Sequence, residues 1–496
     1  MADPTQTSPY APPPPAEPPK SHFFGHPRQL GTLFYVELWE RFSFYGMQAI
    51  LLIYLYYAVD KGGLAINENT AGGIVSAYNG SIYLASILSG WLADRVLGAE
   101  KTLFLSGVVV MLGHLVLALL PGTTGLVLGL MLIALGSGGV KSSAGTMVGS
   151  LYEGDDSLRL LRDAGFSIFY TAVNVGGFVG PLIVGVLQVH LGFHYAFGAA
   201  AVGMAFGLWR YWHGRRLLPP TPPVNPLNAR QGLKIALGVL VSLALLGGVV
   251  YAGLLRLDNF SQVLLAVVGL TCLLYFAILF SSPRVSATEK RHMTAYVPLF
   301  AVMCLFWAVW SQVFTVVTMY FDKNMDRTVA GFEIPVAWLS ALQSLWVILF
   351  AGMMAALWTR LGVRQPKTPM KFAMSMMVLG ASYLCFIPFL STGTVMPLAV
   401  LAVLMLSITI SELLLSPISL SFATKIAPEA FKTQMMSFNF LTLALGFALG
   451  GVMTDDFYVP EKAVEFYTAL GALGIGGGVL LFLLLPWLNR MLRDVD

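Results

Sequence analysis

Apolar stretches separated by short polar breaks fill almost the whole chain. Windows of roughly 20 apolar residues begin near Leu30, Thr70, Lys101, Gly125, Ala164, Phe193, Gly232, Ser261, Tyr296, Val336, Lys371, Met396, Thr433 and Glu465. As helices rising ~1.5 Å per residue, each is long enough for a hydrocarbon layer of ~30 Å. The pattern predicts an all-α polytopic membrane protein with fourteen transmembrane helices. Two segments interrupt it. The first twenty residues hold eight prolines and no apolar run, so they read as a disordered or polyproline tail within residues 1–29 and not as a signal peptide. A second Pro-rich break, residues 214–231, reads as a linker between two helical groups.

Composition agrees with this class. Hydrophobic residues make up 57% of the chain and charged ones 11%, with a mean hydropathy of +0.75, far from a soluble-domain average. The basic residues are scattered over the breaks and form no nucleic-acid face. With the N-terminus inside, 22 of the 29 Lys and Arg fall in inner segments and 5 in outer ones, which predicts cytoplasmic termini on both sides of an even number of spans. Cys272, Cys304 and Cys385 have no metal-ligand spacing, so neither zinc nor disulfides are expected. Of the histidines, only His114 is well inside a span, where a bond to a neighbouring helix is its simplest use.

Charge inside the first span changes the picture. Glu37, Glu40 and Arg41 share one helical face about 10–16 Å from the inner end, near the middle of the layer. A charge there costs ~2.5–3.5 kcal/mol, so such clusters persist where they face partners or a watery path. A buried ion pair that merely fixes packing is the plainer alternative. With Lys141 and Glu412, five ionisable residues lie deep in spans and must converge to avoid solitary burial. Fully ionised they sum to minus one, which favours holding a proton on one carboxylate. Cations on the N-terminal side and a carboxylate on the C-terminal side would together suit a zwitterion.

Several motifs carry a resemblance. GWLADRVLGAEK, with Gly90, Asp94, Arg95 and Gly98, resembles the cytoplasmic loop motif of the major facilitator superfamily. The first span matches ExxERFxYYG at Glu37, Glu40, Arg41, Phe42, Tyr45 and Gly46. GSGGVK places an intramembrane lysine at Lys141, FYxxxNxG falls on Phe169, Tyr170, Asn174 and Gly176, and GELxxSPxGLSxxxKxAP matches at Glu412, Leu413, Ser416, Pro417, Lys425, Ala427 and Pro428. Together these resemble the proton-dependent oligopeptide transporters. The resemblance implies a major facilitator fold: six-helix bundles at 30–213 and 296–496, an inserted two-helix transmembrane hairpin at 232–281, and cytoplasmic linkers at 214–231 and 282–295.

It also implies roles. Glu37, Glu40, Lys141 and Glu412 would couple protons. Arg41 and Lys141 would hold a peptide carboxylate, Glu412 its ammonium, and Tyr45, Tyr83, Asn174, Trp307 and Gln312 would line the pocket. The chain departs from the family where an outer-gate arginine and glutamate are usual, with Gln48 and Ser311 in their places. Losing both charges avoids an orphan buried ion and predicts an outer gate resting on a polar or water-mediated contact. Trp346 and Asn439 exchange the usual positions of an asparagine and a tryptophan, which would reshape a subsite if both face the pocket.

The function implied is symport of di- and tripeptides with protons, by a monomer that needs no cofactor and performs no enzymatic chemistry. A transporter of another solute such as nitrate would have no use for Glu412, and a receptor that senses peptide without moving it would not need the loop motif. The short STGTVM connection, where animal relatives carry a large extracellular domain, points to a bacterial inner membrane.

Overall fold

The computed structural model describes residues 23–153 and 156–495. The Pro-rich first twenty residues lie outside the described residues. Long helices follow one another as α1 (Arg28–Tyr56), α2 (Glu68–Leu92), α3 (Ala99–Leu119), α4 (Gly122–Ser150), α5 (Arg162–Leu191), α6 (Phe193–Gly214), α7 (Ala229–Tyr251), α8 (Phe260–Ser281), α9 (Ala287–Trp310), α10 (Trp338–Leu361), α11 (Thr368–Leu384), α12 (Leu398–Ile426), α13 (Lys432–Phe457) and α14 (Ala463–Met491). Among the described residues, ten helical segments are long and apolar enough to cross a membrane. The chain is therefore a multi-pass membrane protein. Two of the connections are short because a glycine turns the chain sharply. Gly98 and Gly192 take φ of +81° and +94° between α2 and α3 and between α5 and α6, a region open to glycine at little cost.

Helix packing sorts the chain into two groups. In the first, α1 lies against α5 and α6, and α3 against α4 and α6. In the second, α9 lies against α13 and α14, and α11 against α12 and α14. Two seams join the groups, α2 with α13 and α5 with α10. Small residues allow the first: a Cβ on Gly73 would lie 2.8 Å from that of Asp455. Helix α8 packs on both sides of this seam, against α2 and α13.

Helix α9 is broken. A 3-10 turn at Ser311–Phe314 leads through Thr315, at φ −120° and ψ −97°, into a shorter helix Val316–Lys323. Non-helical backbone at this depth needs internal partners, and Gln312 supplies them. Its amide donates to the carbonyls of Gly450 (3.1 Å) and Ala308 (3.2 Å) and accepts from Thr315 and Thr454, both at 2.8 Å. A hairpin of β1 (Thr328–Val329) and β2 (Phe332–Glu333) follows, turning at Ala330 and Gly331 with positive φ.

Candidate functional site

We call the end of the molecule where α1 begins basal and the opposite end distal. Midway along α1, Glu37, Glu40 and Arg41 are all buried. Arg41 Nε donates to Glu37 Oε1 at 2.7 Å and lies 3.3 Å from Glu40 Oε2. Glu40 Oε1 accepts from Ser137 of α4 at 2.8 Å. Glu37 Oε2 and Glu40 Oε2 are buried without a hydrogen-bond partner, so each carboxylate presents one oxygen where a proton can sit. A Cβ on Gly176 would fall 2.8 Å from that of Arg41, and this bare spot lets α5 press against the charged face of α1.

Lys141 of α4 faces the same region through aromatic rings. Its Nζ lies 4.6 Å from the centre of Tyr83 and 5.4 Å from that of Phe44. No carboxylate of the described residues lies within ion-pair distance of it, and Arg41 takes both glutamates. From Tyr83, rings continue through Phe447 (5.9 Å) to Trp307 (6.2 Å) and Trp310, linking the first group of helices to the second.

Across the interface, Glu412 of α12 is half-buried and its Oε2 accepts from Gln343 Nε2 of α10 at 3.3 Å. A small pocket of about 90 Å³ beside it is lined by Tyr45, Tyr170, Asn174, Trp310, Phe314, Ser340, Gln343 and Ser344. A larger cavity of about 940 Å³ shares Tyr170, Val347 and Glu412 with it and runs to the basal end past Trp358, Lys371 and Lys425. Pro417, five residues beyond Glu412, denies α12 one backbone bond and clashes with the preceding turn, loosening the helix where it borders this cavity.

The distal end is shut. Asp322 accepts from Tyr56, the last residue of α1, at 2.5 Å, from Tyr57 just beyond it at 3.0 Å, and from Arg327 at 3.2 Å. Lys323 pairs with Glu68. Asn69 donates to the Asp455 carbonyl (2.8 Å), Ser76 to that of Phe447 (2.7 Å) and Trp338 to that of Leu182 (3.2 Å). Basal access with distal closure describes a molecule open to one side.

The structure thus brings Tyr45, Asn174 and Glu412 to one pocket and Glu37, Glu40, Arg41, Lys141 and Tyr83 to a neighbouring cluster. Gln312 turns away from both, because its amide is spent on the break in α9. Trp307 is buried against Phe447, and Trp310, one turn along, lines the pocket in its place. Trp346 donates to the Ala402 carbonyl at 3.0 Å and Asn439 accepts from Tyr296 at 3.4 Å. Neither lines the pocket beside Glu412, so their exchange leaves that wall unaltered. Gln48 is buried with neither amide atom partnered, and Ser311 bonds back to Ala308 at 2.8 Å. At the loop motif, backbone carbonyls of Asp94 and Arg95 accept from Asn225 (3.0 Å) and Leu227 (3.1 Å) of the linker, with Gly98 at the turn and Gly90 facing Ser142.

Sequence reasoning missed Gln343, Ser340, Ser344 and Trp310, together with the distal cluster on Asp322. A polar Gln343 inside an apolar span was the one available signal. Asp322 and Lys323 read as ordinary charges at a span end. Among the described residues no group of three or more His, Cys, Asp or Glu could hold a metal.

Residues 100–470 match the family model of the POT family. The chain is 39% identical to an uncharacterized transporter, YclF, of Bacillus subtilis, over 96% of this chain and 97% of that one. It is also 39% identical to a di-/tripeptide transporter of Lactococcus lactis subsp. cremoris, over 95% and 98%. Among solved structures, a mutant of peptide transporter POT in complex with alafosfalin superposes with a TM-score of 0.90 at 37% identity, over 95% of this chain and 97% of that one. A POT family transporter in complex with 5-aminolevulinic acid superposes with a TM-score of 0.88 at 33% identity, over 95% and 98%. With its paired cation and carboxylate clusters set between two helix groups and a match spanning nearly its whole length, this chain belongs to the POT family.

Proposed function

We propose that the protein is a symporter that imports di- and tripeptides with protons by alternating access. One observation carries this reading: cations at Arg41 and Lys141 stand on one helix group while Glu412 stands on the other, beside a cavity that opens basally. A zwitterionic peptide bridges them, carboxylate to the cations and ammonium to Glu412, and so links the two groups only when bound. The name of the Lactococcus relative supports the substrate class.

In this reading the basal end is cytoplasmic, in keeping with its Lys and Arg, and the membrane is a bacterial inner membrane. All fourteen long helices span it, as bundles α1–α6 and α9–α14 with α7 and α8 as an inserted hairpin. Glu37 and Glu40 exchange the proton, which competes with Arg41 for their oxygens. A protonated glutamate releases Arg41 for the substrate carboxylate, so proton and peptide load together. Tyr45, Tyr83 and Asn174 shape the pocket, with Gln343 orienting Glu412. Distal closure rests on Asp322 and the α2–α13 seam in place of a charged pair at Gln48 and Ser311.

A proton entering down ~100 mV releases ~2.3 kcal/mol, enough for roughly 40- to 50-fold accumulation at one proton per neutral peptide. Proteoliposomes holding the purified protein, given an inside-negative potential and an inward proton gradient, are expected to accumulate labelled dialanine and to slow when unlabelled tripeptide competes. Equal uptake with and without the gradient, or competition by nitrate instead, would sink the proposal.

A further inference from the structure

A second polar pocket lies away from the central site, at the basal end of the molecule, where the start of α3 meets the end of α6. It holds about 580 Å³ and is lined by Glu100, Lys101, Trp212, Arg215 and Arg216 together with linker residues 218–223. Arg215 is fixed within it. Its guanidinium pairs with both oxygens of Glu100, at 2.8 and 2.9 Å, and lies 4.3 Å from the centre of the Phe104 ring and 5.2 Å from that of Trp212. The linker wall is pinned by Thr221, whose hydroxyl accepts from the Glu100 backbone amide at 3.0 Å. Lys101 and Arg216 are exposed, and among the described residues neither has an ion-pair partner. Three cations against one carboxylate leave the pocket positive, with two of the cations uncommitted.

Depth in the membrane identifies the anion. Helix α3 has 21 residues from Ala99 to Leu119 and is ~31 Å long, the thickness of a ~30 Å hydrocarbon core. Lys101, in its first turn, therefore stands at the level of the lipid headgroups. The half-exposed rings of Trp209 and Trp212 mark the same boundary, as aromatic side chains do at a membrane interface. Distal to Lys101 on the same face of α3, Leu105 is 47% exposed. The hydrocarbon of one leaflet is about 15 Å thick, which reaches from Lys101 to Met111 at ~1.5 Å per residue. At Met111 an apolar groove of about 630 Å³ opens between α3 and α6, lined by Leu115, Ala201 and Val202 among others. Uncommitted cations at headgroup depth thus stand at the foot of an apolar track one leaflet long. We propose that this crevice is a binding site for an anionic phospholipid, with its phosphate on Lys101 and Arg216 beside the fixed Arg215, and an acyl chain along Leu105 to the groove at Met111. The bound headgroup would tie the linker to the start of α3. The site is separate from the central pocket and does not depend on which solute the protein carries.

The test is native mass spectrometry of the full-length protein released from detergent micelles that contain equal amounts of phosphatidylglycerol and phosphatidylcholine. The wild type is expected to retain one phosphatidylglycerol in preference to phosphatidylcholine. Lys101→Gln and Arg216→Gln should each lower that preference about fivefold and together about 25-fold, while Lys101→Arg keeps it. Removing two exposed basal charges on the other helix group, Arg360→Gln with Arg364→Gln, should leave it unchanged. Glycerophosphoglycerol, the same headgroup without acyl chains, and inorganic phosphate should both fail to displace the lipid at millimolar concentration. Equal retention of the two lipids by the wild type, or an equal loss in the Arg360 and Arg364 variant, would overturn the site and leave only a diffuse positive field. Displacement by glycerophosphoglycerol or by phosphate would also overturn it, assigning the cations to a soluble anion.

Discussion

Removing the Asp322 carboxylate should open the distal end. Its side chain is 8% exposed and accepts two tyrosine hydroxyls from the distal end of α1 and the residue after it, so both bonds cross between helix groups. Bonds to a charged acceptor contribute about 1.5–3 kcal/mol each and neutral ones about 0.5–1.5. Asp322→Asn keeps one neutral acceptor in place of two charged bonds, and the net loss is about 3–4 kcal/mol. At 1.4 kcal/mol per decade, that is a roughly 150- to 700-fold shift towards the distally open state. Arg327 is not orphaned, because it keeps Glu333 at 2.8 Å. Tyr56→Phe should give about half of this shift in free energy.

Spin labels on cysteines at the exposed distal positions Lys61 and Glu461, in a Cys385→Ser background, would read the change by electron–electron distance measurement. Asp322→Asn is expected to add or enlarge a longer-distance population relative to the wild type, and Tyr56→Phe a smaller one. Lys323 with Glu68 and Asn69 with Asp455 remain in both variants, so the shorter population should persist. Unchanged distributions in both variants would refute the assignment of distal closure to Asp322.

Three further outcomes follow from the same geometry. Glu37→Gln or Glu40→Gln should abolish proton-driven accumulation while counterflow of labelled against unlabelled dipeptide persists; full uphill uptake by both variants would remove these residues from coupling. Glu412→Gln should weaken binding of free dipeptides roughly tenfold and of N-acetylated ones little, since only a free ammonium forms the charge-assisted bond; equal losses in calorimetry would make Glu412 structural. His26, outside the spans, is buried and its Nδ1 lies 2.9 Å from the Tyr152 hydroxyl, and burial holds its pKa below the ordinary 6.5. The folded state therefore binds the proton less readily than the unfolded one. Anchoring of the start of α1 should be complete above about pH 6.5 and weaken below it, which amide exchange at residues 23–30 would reveal, with His26→Gln flattening the pH dependence.

The sequence by itself determined what depends on local pattern. Apolar run length located each long helix, because a segment in lipid must satisfy its backbone internally, and the start of α13 at Lys432 falls beside the window beginning at Thr433. The i, i+3, i+4 spacing of Glu37, Glu40 and Arg41 fixed a shared face in any helix. Family motifs carried Glu412 and Asn174 to one site. Tertiary structure decided what depends on which surfaces meet. Gln312 is a polar residue at a promising position, yet packing of α9 against α13 spends its amide on a helix break. Trp346 and Trp310 are indistinguishable as aromatic residues in apolar runs, and helix rotation alone sends one to the Ala402 carbonyl and the other to the pocket. The pairing of Asp322 with two tyrosines some 265 residues earlier arises from contacts between segments far apart in the chain, which no periodicity within a single helix encodes.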